Sequence, residues 1–352
     1  MTRKPRSIGL MGCGTVADYG HIPAIQSTDG LSLHALYDPS ADALEHMQET
    51  YGIPEAFTDA GMFFDSGIEA VTIASPAPCH KENVLDAARR GLPILCEKPL
   101  AMDSGEAAEM IAATDAAGVS LYTAFCYRFS PCALKIQELL ASKAIGDVRS
   151  LRLIYNWNCH GKFVTDARGY PTIQARREGQ MLEGGPLLSC GTHQIDLAMF
   201  WLDSDVIRFD GHGAWVDEYE APDHVWLHMD HANGAHTMVE MSYSYHQTSK
   251  NPVFEFVYEL IGTDGVIRYD REASSFRMDN ASGTTDFEFF PEKSFEGMYA
   301  EWVHALDCGR SDLLASADDG MRVVDIARKT IDAAIENRRT SRMHSDPPEA
   351  DA

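Results

Sequence analysis

The stretch SIGLMGCGTVA, Ser7 to Ala17, joins a short apolar run to a glycine turn and then to a helical pattern. In such a turn the first glycine, Gly12, allows a tight reversal, and the second, Gly14, lets a ligand approach the backbone closely. Ala17 is small enough to keep the following helix near the strand, and the N-terminus of that helix attracts phosphate oxygens. The stretch therefore predicts a strand–loop–helix unit that binds a pyrophosphate, although an ordinary glycine-rich turn has the same spacing.

Asp38 follows the next apolar run, SLHALY, and lies 24 positions after Gly14. A carboxylate at this place binds the hydroxyls of an adenosine ribose and repels a 2′-phosphate, and no arginine follows within the next several residues. The pattern favours NAD over NADP, the alternative being a loop aspartate that precedes a proline.

Strand-like and helix-like segments alternate through the first 125 residues. The predicted strands are SIGLM, SLHALY, AVTIA, PILCE and SLYTA, and the predicted helices span Ala41 to Thr50, Lys81 to Arg90 and Ser104 to Ala117. Gly91 and Gly118 stand where a left-handed residue ends a helix. This alternation predicts a doubly wound parallel sheet with helices on both faces, in a first domain over residues 1–125.

The alternation of strand-like and helix-like segments ends after Tyr122. The sequence then predicts a helix from about Pro131 to Ser142, a strand RSLRLIYNW, a polar loop from Asn158 to Gly185, and a helix that begins at His193. HVWLHMDHANGAHTMVEMSYSY reads as a hairpin that turns at Asn233-Gly234. Two further helices, about 295–308 and 319–337, precede a tail, SDPPEADA, that is predicted to be disordered. The second predicted domain covers residues 126–340, and residues 341–352 form the predicted tail.

Composition and charge exclude several classes of partner. The chain has 352 residues, a net charge of −24 and a pI of about 4.8, a balance that repels nucleic acid and anionic membranes. Eight scattered cysteines without a CxxC pair are typical of reduced thiols, and the basic start has no apolar stretch long enough for a signal peptide. We therefore expect a cytoplasmic protein that acts on a small neutral molecule.

Glu97, Lys98 and Pro99 end the fourth predicted strand, in ILCEKPLA. This is the carboxyl edge of the sheet, where doubly wound folds bind their ligands, and the Lys98–Pro99 bond is a candidate for a cis peptide. On chemistry alone the lysine lies either beside a bound cofactor and substrate or simply at the surface.

Several segments together resemble one family, the Gfo/Idh/MocA oxidoreductases. They are, in order, GCGTVA, ASPAPCH, ARRGLPILCEKPLA, FCYRFSP, AIGDVRSLRL, EGGPLLSCGTHQID, the NG hairpin, ELIGTDGVI and the last helices. The resemblance implies a Rossmann domain followed by an α/β domain on a large open, mostly antiparallel sheet. That sheet often forms an oligomer interface, so the resemblance also implies a homo-oligomer, a dimer or a tetramer. The usual activity is NAD(P)-dependent oxidation of a sugar or cyclitol hydroxyl, or its reversal.

The resemblance assigns roles to individual residues. Lys98 and His193 match the proposed catalytic pair. The predicted cofactor-binding residues are Gly12, Cys13, Gly14, Thr15, Val16, Asp38, Ser75, Pro76, His80, Glu97, Lys98 and Arg128. The predicted substrate-binding residues are Tyr127, Ser189 and Gln194. Trp157, Arg176 and Tyr170 are added to them on chemistry alone, because aromatic faces and forked donors suit polyols, the alternative being a packed loop. Ser189 departs from the family, since many members have an aspartate four residues before the histidine.

His193 stands at the start of a helical pattern, THQIDLAMFWL. We expect it in the first turn of that helix, where the positive dipole end disfavours an imidazolium and leaves a neutral base. A capping or core histidine is the structural alternative.

No metal is expected. The hairpin histidines 224, 228 and 236 alternate with apolar residues and so should occupy its polar face, with His231 on the other. Cys159-His160 and Cys190-x-x-His193 lack the spacing of a zinc site.

Three functions fit these residues. The first is an NAD-dependent dehydrogenase of a sugar, sugar derivative or cyclitol, with the proton passing to Lys98 or His193. The second is an NAD-dependent glycoside hydrolase of the same fold, and the third is a cofactor sensor without catalysis, which the presence of both Lys98 and His193 disfavours.

Overall fold

The structure is a computed structural model that describes residues 4–159, 164–165, 171–172, 175–246, 249, 251–291 and 293–345. These residues pack as two compact units, and the division is discontinuous. The first unit comprises residues 1–134 and 292–324, and the second comprises residues 135–291 and 325–352. The contiguous division after residue 125 stays a prediction, whereas packing assigns a late segment, 292–324, to the N-terminal unit.

The first unit contains a seven-stranded sheet. Its strands are β1 (Arg6–Met11), β2 (Leu31–Tyr37), β3 (Glu55–Phe57), β4 (Ala70–Ile73), β5 (Ile94–Cys96), β6 (Leu121–Thr123) and β17 (Ala315–Ser316). Their order is β17-β6-β5-β4-β1-β2-β3, and every pair is parallel except β17 with β6. All five predicted strands are present, and β3 and β17 are additional.

Helices cover both faces of this sheet. They are α1 (Ile22–Ser27), α2 (Ala41–Tyr51), α3 (Ala60–Phe64), α4 (His80–Arg89), α5 (Ser104–Ala117) and α9 (Phe295–Cys308). One apolar core joins Ile8 and Leu10 to Trp302 of α9, and the other joins Val71 and Ile73 to Met110 of α5. Gly91 and Gly118 have φ of +69° and +67°, so both predicted helix ends are confirmed.

The second unit contains an eight-stranded sheet. Its strands are β7 (Val148–Asn156), β10 (Val206–Ala214), β11 (His224–His231), β12 (His236–Ser242), β13 (Glu255–Gly262), β14 (Gly265–Asp270), β15 (Ser275–Asn280) and β16 (Gly283–Asp286). The order is β10-β11-β12-β7-β13-β14-β15-β16, with β12 and β7 as the one parallel pair among these described strands. The predicted open, mostly antiparallel sheet and its NG hairpin are confirmed, and Gly234 adopts φ +83°.

The remaining elements are α6 (Pro131–Ala141), α7 (Ala175–Glu183), α8 (Thr192–Leu202), α10 (Ala317–Ser345) and a two-stranded ribbon of β8 (Val164–Thr165) and β9 (Pro171–Thr172). The prediction of a polar loop over 158–185 is wrong for the residues of α7. This segment is polar but forms a helix that buries Arg177 and Met181 along one face. Residues 341–345 are likewise helical rather than part of a disordered tail, and the rest of that tail, 346–352, lies outside the described residues.

Among the residues described, none of the helices combines the length and the apolar character that a bilayer-spanning segment requires.

Candidate active site

The glycine loop follows β1 at the carboxyl edge of the first sheet. Gly12 has φ +97°, and a Cβ placed on it would lie 2.5 Å from the backbone nitrogen of Ser75. Only glycine fits there, because the backbone is left-handed and the next loop is in contact. Around Gly14, by contrast, no atom lies within 4 Å of an added Cβ, so its surroundings are open. Gly12 is thus fixed by its conformation and contacts, whereas the approach of a ligand to Gly14 remains a prediction.

Asp38 is tied to this loop. Its Oδ2 accepts a hydrogen bond of 2.8 Å from the Cys13 N–H, and its Oδ1 accepts one of 2.8 Å from the Ser40 N–H. Burial, with the Asp38 charge as a second cause, raises the pKa of the Cys13 thiol to about 12, so Cys13 stays a neutral thiol at physiological pH. The carboxylate thus holds the loop in place from the end of β2.

A helical turn begins directly after the loop. Asp18 donates the first hydrogen bond of this turn to the Gly14 carbonyl, 3.2 Å away, and residues Ala17–His21 form a π-helical turn that continues into α1. The N–H groups ahead of that first bond, at Thr15 and Val16, have no carbonyl one turn earlier to bond. Open space at Gly14 and N–H groups at a helix start fit the pyrophosphate of a dinucleotide.

The loop after β4 is held by His80. This histidine is buried, and its two ring nitrogens lie 2.9 Å from the carbonyl oxygens of Ser75 and Pro99. Burial lowers its pKa, so the ring donates one N–H to one of these carbonyls and packs against the other, between the Ser75–Pro76 loop and the Lys98–Pro99 segment. His80, predicted beside the cofactor, is placed by the structure as the link between two loops of the edge.

The Glu97-Lys98-Pro99 segment follows β5, and its Lys98–Pro99 peptide is cis, as predicted. Glu97 is 5% exposed, and its Oε2 accepts a hydrogen bond of 3.0 Å from the Lys98 N–H. Lys98 itself is half-buried. The carboxylate of Glu97 therefore fixes the backbone that carries the lysine.

A buried network runs from Glu97 into the first unit. His21, on the π-helical turn, places Nε2 3.0 Å from Glu97 Oε1 and Nδ1 2.8 Å from the Tyr299 hydroxyl, which lies 3.0 Å from Thr72 Oγ1. All four side chains are buried. His21, Tyr299 and Thr72 are not among the predicted site residues, because their separation along the chain leaves no spacing that signals the contact.

Tyr127 and Arg128 follow β6. Arg128 is 5% exposed, and its guanidinium donates to the Leu313 carbonyl at 3.2 Å and lies 3.5 Å from Asp319. Arg128 thus connects the segment after β6 to the start of α10. Its contact with the cofactor remains a prediction. Tyr127 is half-buried, and the ammonium of Lys293 lies 5.7 Å from its ring centroid. Lys293 is likewise not among the predicted site residues.

His193 lies in the second unit and is 4% exposed. It is the second residue of α8, as predicted, but α8 has no free N-terminus. A π-helical turn, Leu187–Gly191, precedes it, and Gly191 has helical angles of φ −65° and ψ −22°. The expectation that a positive helix end keeps His193 neutral is therefore wrong, because the backbone ahead of it is already helical.

The other candidate residues of the second unit differ in burial and in contacts. Trp157 stacks on Tyr155 with ring centroids 5.8 Å apart, Arg176 is exposed, and Ser189 is buried with its carbonyl accepting from the Thr192 hydroxyl at 3.1 Å. Gln194 is fully buried, and neither polar atom of its side chain has a hydrogen-bond partner among the described residues. Tyr170 and His160 lie outside the described residues.

The hairpin histidines have protein partners on the predicted faces. His224 lies 3.2 Å from Glu240, and His228 pairs with His236, which lies 2.7 Å from Asp230. His231 is buried on the other face and contacts the Thr237 hydroxyl at 2.9 Å. Within the described residues no group of three or more histidine, cysteine or acidic side chains is arranged to hold a metal ion.

The first unit brings together the glycine loop, Asp38, the Ser75–His80 loop, Glu97 and Lys98 at one edge of its sheet. The predicted residues of the second unit are His193, Ser189, Gln194, Trp157 and Arg176.

Comparison with known proteins assigns the family. Residues 6–125 match the family model described as "Oxidoreductase family, NAD-binding Rossmann fold", and residues 133–268 match the "GFO/IDH/MocA C-terminal domain". The chain is 26% identical to a D-apiose dehydrogenase of Paraburkholderia graminis over 94% of this chain and 88% of that one. It is 28% identical to a myo-inositol 2-dehydrogenase of Thermotoga maritima over 60% of this chain, and it spans only 59% of that relative.

The fold is also that of solved structures. An oxidoreductase from Agrobacterium radiobacter, solved with NAD+, L-tartaric acid and magnesium, superposes with a TM-score of 0.81 at 21% identity, covering 95% of this chain and 98% of that one. The loop that fits a dinucleotide lies inside the matched NAD-binding region. The chain is therefore an NAD-dependent oxidoreductase and belongs to the Gfo/Idh/MocA family.

Proposed function

We propose that this protein oxidises one hydroxyl of a sugar, sugar derivative or cyclitol, with Lys98 and His193 moving the proton. The observation that carries the proposal is the 3.0 Å contact between His21 and Glu97. It joins the turn after the glycine loop to the residue that fixes the Lys98 backbone. Lys98 is thus anchored to the same structural element that would bind the pyrophosphate.

The cofactor and the side chains have distinct roles in this reaction. When NAD is bound, its nicotinamide supplies a hydride acceptor for the carbinol carbon. Lys98 relays the hydroxyl proton or donates a hydrogen bond to the developing alkoxide, and His193 acts as the general base. We propose that His193 reaches the substrate from the second unit, since the family motif pairs it with Lys98.

The substrate class follows from charge and from the relatives. The net charge of −24 disfavours anions, and similar proteins are named for D-apiose and myo-inositol, which are neutral polyhydroxylated compounds. We propose a neutral polyol or sugar, bound near Tyr127 of the first unit and Trp157, Arg176, Ser189 and Gln194 of the second.

The direct test is a screen of aldoses, cyclitols and glycosides with NAD+, in which the absorbance of NADH is followed. We expect net NADH formation in proportion to product with at least one free sugar or cyclitol. Turnover of a glycoside with only catalytic amounts of NAD, without net NADH, would instead identify a glycoside hydrolase.

Replacement of the lysine tests its role. We expect Lys98→Met to fold and to bind NAD like the wild type, because the Glu97 contact is made by the backbone N–H, while turnover falls by about 10²–10⁴-fold. Turnover is measured from the absorbance of NADH, and NAD affinity is measured by fluorescence titration. Near wild-type turnover of the variant would remove Lys98 from the mechanism.

A further inference from the structure

Arg177 is a buried arginine near the start of α7. Its side chain is 1% exposed, although the neighbouring Arg176 is exposed. Burying a guanidinium is costly unless hydrogen-bond acceptors and an opposite charge surround it. The partners of Arg177 therefore indicate which parts of the second unit it holds together.

The guanidinium of Arg177 joins the ends of two neighbouring strands. Its Nη1 donates to the carbonyl oxygens of Asn158 at 3.4 Å, of Cys159 at 3.3 Å, and of Tyr243. Its Nη2 donates to the Ser244 hydroxyl at 3.0 Å. The first two of these residues follow β7, and the other two follow β12, the parallel neighbour of β7. Arg177 thus holds both strands at the point where they end.

A carboxylate balances this buried charge. Asp217 Oδ2 lies 3.0 Å from Arg177 Nη2, and the side chain of Asp217 is 11% exposed. The backbone N–H of Asp217 donates at 2.7 Å to Asp223, a fully buried carboxylate that also accepts from the Val216 N–H at 3.0 Å. The counter-ion is therefore itself held in place, which fixes the geometry of the ion pair.

A second side chain of α7 contacts the end of β7. Gln180 lies three residues after Arg177, so the two side chains are neighbours on the helix surface. Gln180 Oε1 accepts a hydrogen bond from Cys159 Sγ at 3.2 Å. Helix α7 therefore holds Cys159 through its carbonyl and through its thiol.

Trp157, a predicted substrate-binding residue, lies between these contacts. It directly precedes Asn158, and its backbone N–H donates to the Ser242 carbonyl at 3.1 Å. Its ring lies edge-on to the ring of Tyr243, with the two centroids 5.6 Å apart. The orientation of the Trp157 ring thus depends on the two backbone segments that Arg177 joins.

Tyr243 extends the connection to the turn before His193. Its side chain is fully buried, and its hydroxyl donates to Cys190 Sγ at 3.1 Å. Cys190 belongs to the π-helical turn Leu187–Gly191 and lies three residues before His193. The same guanidinium is therefore connected to a predicted substrate-binding ring and to the turn that precedes the proposed base.

We propose that Arg177 is a positioning residue of the substrate site. Its planar fork fixes the ends of β7 and β12, so that Trp157 presents its ring to the substrate and Tyr243 holds the turn before His193. A lysine would keep the charge beside Asp217 but lose the fork, because an ammonium is a compact point charge.

The inference rests on the proposed places of Trp157 and His193 in the substrate site. The effect of Arg177 on the Trp157 ring, by contrast, does not depend on any substrate. The two can therefore be tested separately.

The test uses variants of the full-length chain. Arg177→Lys keeps the charge without the fork, and Arg177→Ala leaves room for an added guanidinium ion beside Asp217. Arg338→Lys is the matched control, because Arg338 also lies in the second unit and donates to a backbone carbonyl, that of Tyr219 at 3.1 Å. If Arg177→Ala fails to fold, Arg177→Lys decides the outcome.

The first readout is the near-UV circular dichroism of Trp157 in the substrate-free protein. Near-UV signals report rings held in fixed tertiary packing, and Trp157→Phe in each background isolates the signal of this one ring. We expect Arg177→Lys to lose most of the Trp157 signal and Arg338→Lys to keep it.

The second readout is the division of the kinetic effect between KM and kcat, with a substrate found in the screen. We expect KM to rise by about tenfold in Arg177→Lys, the contribution of one aromatic contact, with NAD affinity as in the wild type. Tyr243→Phe removes only the hydroxyl that bonds Cys190, so kcat should fall a few-fold with KM unchanged. Loss of stability alone would lower the folded fraction and leave KM intact.

The third readout is chemical rescue. Added guanidinium, far below the concentrations that unfold proteins, should restore both the KM and the Trp157 signal of Arg177→Ala, whereas ammonium at the same concentration should not. Equal effects of the two ions, or no effect of guanidinium on the folded variant, would contradict the role of the fork.

A wild-type KM or a wild-type Trp157 signal in Arg177→Lys would overturn the proposal, and so would an equal loss in Arg338→Lys. A lost Trp157 signal in a protein that oxidises no polyol would support the positioning role of Arg177 and refute the proposed function alone.

Discussion

Two π-helical turns introduce the two functional parts of this molecule, and they differ in what comes before them. Ala17–His21 leads into α1 and Leu187–Gly191 into α8, and the residue just ahead of each turn, Val16 or Pro186, already has helical angles. The glycines before them differ: no atom lies within 4 Å of a Cβ placed on Gly14, whereas a Cβ on Gly185 would lie 2.9 Å from the Pro222 carbonyl oxygen. Neither turn is capped by a side chain.

The difference shows that a helix start is defined by its preceding residues rather than by its own pattern. The first turn begins next to open space at Gly14, so its N–H groups are available to an anion. The second turn begins beside packed backbone at Gly185, and His193 lies seven residues after Pro186, so it gains nothing from a dipole end, whose effect falls off within the first turn. We expect cofactor binding to depend on the first turn and proton transfer on the side chain that follows the second.

The largest expected effect separates these two roles. We predict that His193→Ala keeps its fold and its NAD affinity while turnover falls by at least about a hundredfold, since general-base catalysis typically contributes about 10²–10⁴-fold. Turnover per folded enzyme, NAD titration and thermal unfolding check this together. A sharp drop in melting temperature with turnover intact would make His193 a core residue of α8.

The next effect belongs to the first turn. We predict that Gly14→Val unfolds with a free energy within about 1 kcal/mol of the wild type, because no atom lies within 4 Å of a Cβ at this position. NAD affinity should fall by about 30-fold, since the side chain would occupy the approach of the pyrophosphate. Equilibrium unfolding and NAD titration measure the two quantities.

Gly12→Ala is the control for these two measurements. Its Cβ would lie 2.5 Å from Ser75 N at φ +97°, so it should lose about 1–3 kcal/mol or more of folding stability as well as affinity. Unchanged NAD binding in Gly14→Val would mean that the open space at the first turn is not the cofactor site.

A smaller effect is expected at Asp38, which fixes the same loop. The carboxylate should favour NAD over NADP by at least about tenfold, or ~1.4 kcal/mol, through the ribose hydroxyls and repulsion of the 2′-phosphate. Asp38→Asn keeps an acceptor for the Cys13 N–H but loses the charge, so the ratio of the two dissociation constants should narrow. Equal or tighter binding of NADP by the wild type would refute the assignment.

The smallest effect is expected at Ser189, inside the second turn. Its hydroxyl carries no charge, so Ser189→Ala should lower turnover by no more than a few-fold, about 1 kcal/mol at most. Steady-state kinetics beside His193→Ala provide the comparison. A loss as large as that of His193→Ala would give Ser189 a direct part in proton transfer.

Local signals in the sequence predicted the first sheet well. Helix α5 runs from Ser104 to Ala117, as predicted, because Asp103 caps its start and Gly118 adopts φ +67° at its end. The glycine loop and the Glu97–Lys98 segment follow their predicted strands for the same reason: strand, turn and helix are adjacent in the chain.

Contacts over long separations were not predictable. His21 meets Glu97 and Tyr299, which are 76 and 278 residues away, and no periodicity connects them. The sequence predicts a loop where α7 lies, because the segment is mostly polar and nothing in its composition indicates that Arg177 and Met181 are buried. The π-helical turn Leu187–Gly191 ahead of α8 was not predicted either, because its apolar and small residues have no pattern that separates it from a loop.

The return of the chain to the first unit at residues 292–324 also determines when that unit can be completed. Trp302 and Tyr299 of α9 are fully buried in its core, and β17 pairs with β6 at the edge of its sheet. On the ribosome, the part of the N-terminal core that packs against α9 must therefore stay uncovered until residues 295–308 have been made. Contacts of such sequence separation slow folding and prolong the exposure of apolar surface, so the nascent chain is a natural client for chaperones.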